Sequence, residues 1–131
     1  MALSSATTRG VRVAVLSRFV PERSDPDRGY FFFAYDVRIE NQSADVVQLV
    51  SRRWIITDAD GREERVEGPG VVGETPTLAP GESFSYTSAC PLRTPVGAMH
   101  GTYQMVYAGQ DRPGFDATIA PFTLAMPDAL N

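Results

Sequence analysis

The stretch YFFFAYDVRIE, from Tyr30 to Glu40, suits one regular backbone. Phe31, Phe33, Tyr35, Val37 and Ile39 recur at every second residue, while Asp36, Arg38 and Glu40 end the alternate series. A strand sends successive side chains to opposite faces, so this period of two puts an aromatic and aliphatic face into a core. A helix would scatter the same residues around its circumference. Tyr30 and Phe32 begin the second face, and that end must also be covered.

Similar patterns recur along the chain. Val11, Val13, Val15 and Phe19 alternate with Arg12 and Arg18, which predicts a half-buried strand. The charged, proline-containing segment Pro21–Gly29 predicts a loop, and without an apolar anchor it is expected to be mobile. NQSAD is a turn, with Asn41 and Asp45 as turn residues. VVQLVSRRWIITD continues extended, with Trp54 and Ile56 facing together. Asp60-Gly61 closes a hairpin, after which REERV returns with alternating charge, as an edge strand should. Phe84, Tyr86 and Cys90 share a face of the next strand, Tyr103, Met105 and Tyr107 of the one after it. Phe115, Ala117 and Ile119 mark the last, in which Pro121 predicts a bulge or a break.

No stretch carries an apolar stripe of helical period and length. Seven or so short strands with frequent Gly and Pro turns predict an all-β fold, an immunoglobulin or fibronectin type III-like antiparallel β-sandwich. Trp54 in the third strand suits a core indole, and Gly101-x-Tyr103-x-Met105 matches the tyrosine corner of such sandwiches. Residues 1–10, small and polar, are expected to be a disordered tail, and residues 11–127 a single domain.

Composition narrows the functions. The formal net charge is −4 and every cation is arginine. Nothing in that balance attracts nucleic acid or anionic lipid, and without lysine there is no Schiff-base chemistry. No apolar run approaches the roughly 18 residues of a membrane span, and the opening MALSSATTRG lacks the apolar region of a signal peptide. One cysteine, Cys90, allows no internal disulfide, so a cytoplasmic protein without membrane insertion is expected.

Gly68, Gly70 and Gly73 spell G-x-G-x-x-G, a dinucleotide-binding signature when a strand precedes it and a helix follows. Here Pro76 and Pro80 preclude a regular helix, so no helix N-terminus awaits a pyrophosphate. No Asp or Glu occurs from Ser83 to Gln110 to bond a ribose, and Glu67 and Glu74 flank the loop with negative charge. Consecutive glycine amides can still form an anion-binding nest. Arg62 and Arg65, with Arg52 and Arg53 as further candidates, could add charge to it. The other reading is that the glycines permit a tight connection between strands. Cys90 lies on an apolar face and reads as core. His100 is a lone histidine in a loop, and no ligand-spaced cluster predicts a metal site. No cofactor is expected.

Four stretches carry a resemblance to a known family: FAYDVRIEN, VQLVSRRWIITDADGR, GPGVVGETPTLAPGESFSYTSACPL and GAMHGTYQMV. Together with the C-terminal PFTLAMP they resemble the ApaG family (DUF525 domain) over most of Tyr30–Val106 and the last strand. Two departures are visible: Arg53 stands where the family often has His, and Ala89 where it often has Gly. The resemblance implies a fibronectin type III-like sandwich. It also implies a link, through the naming of bacterial members, to cobalt and magnesium efflux. In eukaryotic F-box proteins and a polymerase-associated protein the same domain looks like a protein-interaction module. The family's glycine loop, matching Gly68, Gly70 and Gly73, has been suggested to bind pyrophosphate. The expectation is therefore a non-enzymatic module with a protein partner. The alternative is a binder of phosphate, pyrophosphate or nucleotide at the Gly68–Gly73 loop.

Overall fold

In the computed structural model, which describes residues 1–129, nine strands follow one another: β1 (Ala2–Thr8), β2 (Val11–Phe19), β3 (Phe31–Asn41), β4 (Val47–Asp58), β5 (Glu63–Pro69), β6 (Thr77–Leu78), β7 (Ser83–Leu92), β8 (Val96–Tyr107) and β9 (Phe115–Ala125). Two 3-10 turns, Pro21–Arg23 and Pro26–Arg28, are the only helical segments among the described residues. The first sheet has the order β1-β2-β3-β7 and the second β5-β4-β8-β9, with β6 paired to β4; every pairing is antiparallel. The two sheets pack face to face, so the expected antiparallel β-sandwich is what the chain forms.

The alternating residues meet in one core. Val11, Val13 and Val15 of β2 face it together with Phe33, Tyr35, Val37 and Ile39 of β3. From the second sheet come Leu49, Trp54, Tyr103, Met105, Ile119 and Leu124. Trp54 is 2% exposed and joins the layers: its indole meets the rings of Tyr35, Tyr103 and Phe122 at centroid distances of 5.4, 6.2 and 6.0 Å. Such pairs add to simple area burial when edge meets face.

Two bulges reset the alternation. In β4 the register shifts between Leu49 and Ser51, so buried Val47 and Leu49 are odd-numbered whereas buried Trp54 is even. In β9, Ile119 lies opposite Gly101 but Phe122 opposite Met99, so an extra residue falls at Ala120-Pro121. Beyond it Phe122 and Leu124 take the inward face. A proline is tolerated there because a bulge needs one ladder donor fewer.

Three expectations are corrected. The N-terminal segment is not a disordered tail: residues 2–8 form β1, joined to β2 by a tight turn at Arg9-Gly10 (φ +47° and +82°). Small polar side chains suffice because β1 lies along the seam with β9. There Ser4 Oγ donates to the Ala120 carbonyl (3.0 Å) and the Thr118 amide donates to Thr8 Oγ1 (3.0 Å). The Pro21–Gly29 segment is not without an anchor. The Arg23 guanidinium stacks over Phe32 at 4.6 Å, and Ser24 Oγ accepts from the Phe32 amide at 2.8 Å, which covers the apolar start of β3's second face. Tyr103 forms no tyrosine corner. It sits midway along β8, and its hydroxyl bonds that of Tyr86 across the sandwich rather than a backbone group.

Asn41, taken from the sequence as a turn residue, is a fully buried clasp. Its Nδ2 donates to the carbonyls of Asp45 (2.7 Å) and Leu78 (2.9 Å), and its Oδ1 accepts from the Ser43 amide (3.0 Å). A buried amide is tolerated when its partners are supplied in this way.

Two measurements test this architecture. Trp54→Ala should lower the unfolding free energy by roughly 3–5 kcal/mol in urea denaturation, the range for truncating a buried large aromatic; near-wild-type stability would place the indole outside the core. In hydrogen exchange, alternate amides of residues 2–8 should be protected together with those of β2. Exchange at the rate of unstructured chain would show that β1 is not a strand.

Candidate functional site

The G-x-G-x-x-G segment is the end of β5 and a hairpin. Gly68 lies within β5, opposite Arg52. Gly70 has φ +58°, and a Cβ there would stand 2.3 Å from the Glu74 carbonyl oxygen, so only glycine fits. Val71 and Glu74 then exchange both backbone bonds, each 2.8 Å, around Val72 and Gly73 at φ +44° and +80°. Two successive positive φ angles mark a type I′ turn. Gly73 is at home in it; Val72, β-branched and 55% exposed, is strained.

That turn commits several of the backbone amides around the motif. The Gly70 amide donates to the Val50 carbonyl (2.9 Å), and those of Val71 and Glu74 to each other's carbonyls. Arg52 Nη1 donates to the carbonyls of Pro69 and Gly70, both at 2.9 Å, and its guanidinium crosses the bare face of Gly68. Arg62 and Arg65 do not join this cluster. Arg62 closes the hairpin after β4, its amide bonded to Asp58 Oδ1 (3.0 Å), at the opposite end of β5. Arg65 pairs with Glu63 (3.0 Å), and five residues of strand, about 17 Å, separate it from Gly70. Arg53 pairs with Glu67 (2.9 Å). Gly68 and Gly70 are thus brought to Arg52, whereas Arg53 and Arg65 are paired with glutamates and Arg62 lies at the far end of β5.

What the turn does border is the open side of the sandwich. β5 and β7 are edge strands of facing sheets, and they leave a cleft between them. Its larger part, about 270 Å³, is walled by Tyr35, Trp54, Val66, Ser88, Cys90 and Met99, with Glu64 at one end. A second part, about 240 Å³, continues past Arg52 and Tyr86 to the Val71–Gly73 turn. Arg52 faces inward because β4's alternation from Trp54 places it on the core side, beside buried Tyr103. The cleft is thus apolar in the middle and cationic toward the turn, while at the far end Glu64 stands with Asp58 and Glu63 among Arg62 and Arg93.

Burial raises the pKa values of the thiol and phenol groups in and beneath it. Burial pushes the Cys90 thiol up to about 11, and the charge of Glu64 acts in the same direction. Burial also raises Tyr35, partly opposed by its hydrogen bond with Ser88, and raises Tyr86 and Tyr103 further. A protonated thiol and neutral phenols serve as hydrogen-bonding and packing groups rather than as nucleophiles or bases. His100 lies in β8, half-buried, not in the cleft. Among the described residues no group of three or more His, Cys, Asp and Glu could hold a metal ion, and no helix is long and apolar enough to cross a membrane.

Two predictions follow from these contacts. Gly70→Ala should lower stability by about 2 kcal/mol or more, combining positive φ with a backbone clash. Gly73→Ala, with nothing within 4 Å of the new Cβ, should cost about 1 kcal/mol. Equal effects in thermal unfolding would contradict the turn geometry. Cys90 should react slowly with Ellman's reagent until the chain is denatured. Its native pKa lies above the unfolded value, so its contribution to stability is complete below pH 9 and falls as pH rises from 9 to about 11. Cys90→Ala should flatten that part of the pH profile of the urea midpoint, whereas an unchanged slope would place the thiol in solvent.

The ApaG domain, DUF525, matches residues 21–107. The Protein ApaG of Anaeromyxobacter dehalogenans strain 2CP-1 is 57% identical over 129 residues, covering 98% of this chain and 100% of the relative. The Protein ApaG of Beijerinckia indica is 54% identical over 123 residues, 94% of this chain and 93% of the relative. A crystal structure from Bordetella pertussis, described there as an ApaA protein, superposes with a TM-score of 0.86 at 50% identity, over 91% of this chain and 95% of that one. The C-terminal domain of wzt shares the fold alone, with a TM-score of 0.55 at 10% identity over 94% of this chain and 77% of that one. Matched by the family's domain over residues 21–107 and by relatives along nearly its whole length, the chain belongs to the ApaG family.

Proposed function

We propose that this protein is a non-enzymatic interaction module that holds a protein partner at the open side of its sandwich, between β5 and β7. The observation that carries the reading is Val72. An exposed valine at φ +44° costs stability that Asn or Gly in the same turn would recover. Strain of this kind is retained where a side chain must be presented, and Val72 is presented at the rim of the cleft. An apolar knob beside an amphipathic cleft suits a partner surface. On this reading the family's link to cobalt and magnesium efflux is indirect and runs through the partner. We place the protein in the cytoplasm, since the free buried thiol of Cys90 suits a reducing compartment.

The test joins stability to binding. Val72→Asn should raise stability by about 1 kcal/mol through relief of strain, and should weaken partner capture. Capture is read by a photo-crosslinking residue at Ala89, beside the cleft, with Thr118 on β9 as control. A partner captured from Ala89, not from Thr118, and lost in Val72→Asn supports the reading. Equal capture from both positions, or capture unaffected by Val72→Asn, overturns it.

A further inference from the structure

The two sheets have four edges, and three are defended. β1 and β9 cover one another through the Ser4–Ala120 and Thr8–Thr118 bonds. β5 carries Glu63, Glu64, Arg65 and Glu67 along its length, and charge on an edge opposes pairing with another chain. β7 has one such device, Pro91 near its end, and none before it. From Ser83 to Cys90 it reads SFSYTSAC, without charge or proline, and it pairs only with β3, over ten residue pairs without a register shift. Ser83, Ser85, Thr87 and Ala89, on its outer face, are exposed and small. In an antiparallel ladder every second residue turns its N–H and C=O away from the partner strand, so β7 offers a row of free backbone groups on its outer side. A strand added there would send alternate side chains inward over the cleft.

We propose that the site takes one extended segment of a partner protein, added as a fifth strand beside β7, with an apolar side chain seated in the cleft and a lysine or arginine at Glu64. This rests on the interaction reading above and names its mode and its chemistry. The apolar position is set by Trp54, Val66 and Met99, which wall the middle of the cleft. The basic position is set by charge. Glu63 and Glu67 are paired with Arg65 and Arg53, whereas among the described residues Glu64 makes no ion pair. A second copy of this chain is a poorer occupant. Pairing β7 with its own copy would bring the two β5 edges together, each with three glutamates against one arginine. Main-chain bonds to an edge supply affinity, and pockets for alternate side chains supply selectivity.

The experiment titrates the isotopically labelled chain with synthetic peptides about ten residues long, alternating valine with threonine. One carries a single lysine at an inward position, a second glutamate there, and a third is the lysine peptide with alternate amides N-methylated. The expected result is binding of the lysine peptide with shifts and new exchange protection confined to the β7 amides, and loss of binding on N-methylation. The glutamate peptide, or Glu64→Gln with the lysine peptide, should bind about three- to fivefold more weakly, the scale of an exposed ion pair, and the difference should shrink in salt. Binding that survives N-methylation, shifts centred on another edge, no response to any peptide, or dimerisation of the chain through β7 in ultracentrifugation would overturn the proposal. If the Ala89 crosslink persists in such a case, strand addition has failed and the interaction reading stands; if the crosslink is absent too, the reading itself has failed.

Discussion

The two sheets meet on one indole. Trp54 comes from the middle of β4 and touches rings from both layers, Tyr35 from the first sheet and Tyr103 and Phe122 from the second. A side chain of that size sets how closely the sheets approach near the β5–β7 side. It also walls the cleft. The same packing contact therefore supports the core and shapes the surface. That is why the cleft has a rigid apolar middle although it opens to solvent.

Arg52 makes the glycine motif intelligible. A charged side chain aimed at the core side of a sheet needs partners, and it finds the carbonyls of Pro69 and Gly70. Gly68 leaves room for the guanidinium to cross, Gly70 reverses the chain, and Gly73 completes the hairpin. The spacing that resembles a phosphate loop is here the spacing of a clasp. The carbonyls of Pro69 and Gly70 face a cation, and the amides of Gly70 and Val71 bond the protein's own carbonyls, an arrangement that serves the turn.

The sandwich is asymmetric in how its sides are closed. Along β1 and β9 hydroxyl–backbone bonds join the sheets, and Ser17 Oγ adds a bond to the Thr123 carbonyl at 2.7 Å. Along β5 and β7 there is a groove with a neutral thiol, the neutral phenols of Tyr35 and Tyr86, Arg52 toward one end and Glu64 at the other. Groups held neutral by burial keep their protons and remain hydrogen-bond donors along the groove. The protein's polar and apolar groups thus reach the surface together where the bonding between its sheets stops.

Much was legible in advance because alternation is a local property. β3 can be read from Phe31 to Ile39 without knowing its neighbours, and Asp60-Gly61 announces its hairpin by the φ angles it accepts. The family could be recognised from short stretches, since Trp54 to Asp58, the glycine loop and Tyr103 to Met105 keep their order and spacing. What stayed hidden depends on residues far apart in the chain. β1 is a strand because β2 pairs with it across the Arg9-Gly10 turn and because β9, 110 residues later, takes up its hydroxyls; no property of ALSSATT alone says so. Pro121 announces the bulge in β9, whereas the one at Val50 has no such signal, and which face each bulge turns inward is set by the pairing partners. Arg52 was one cation among several until Gly68 and the Gly70 carbonyl were placed against it, and Arg62 and Arg65 were candidates only because distance along a strand is not distance from a turn. The sequence by itself determined the strongly alternating strands, their glycine and proline turns and the apolar faces between bulges, through steric preferences and hydrophobic period. The tertiary structure alone decided which edges were left open and which charges met, because strand order and inter-sheet contact are set by long-range packing.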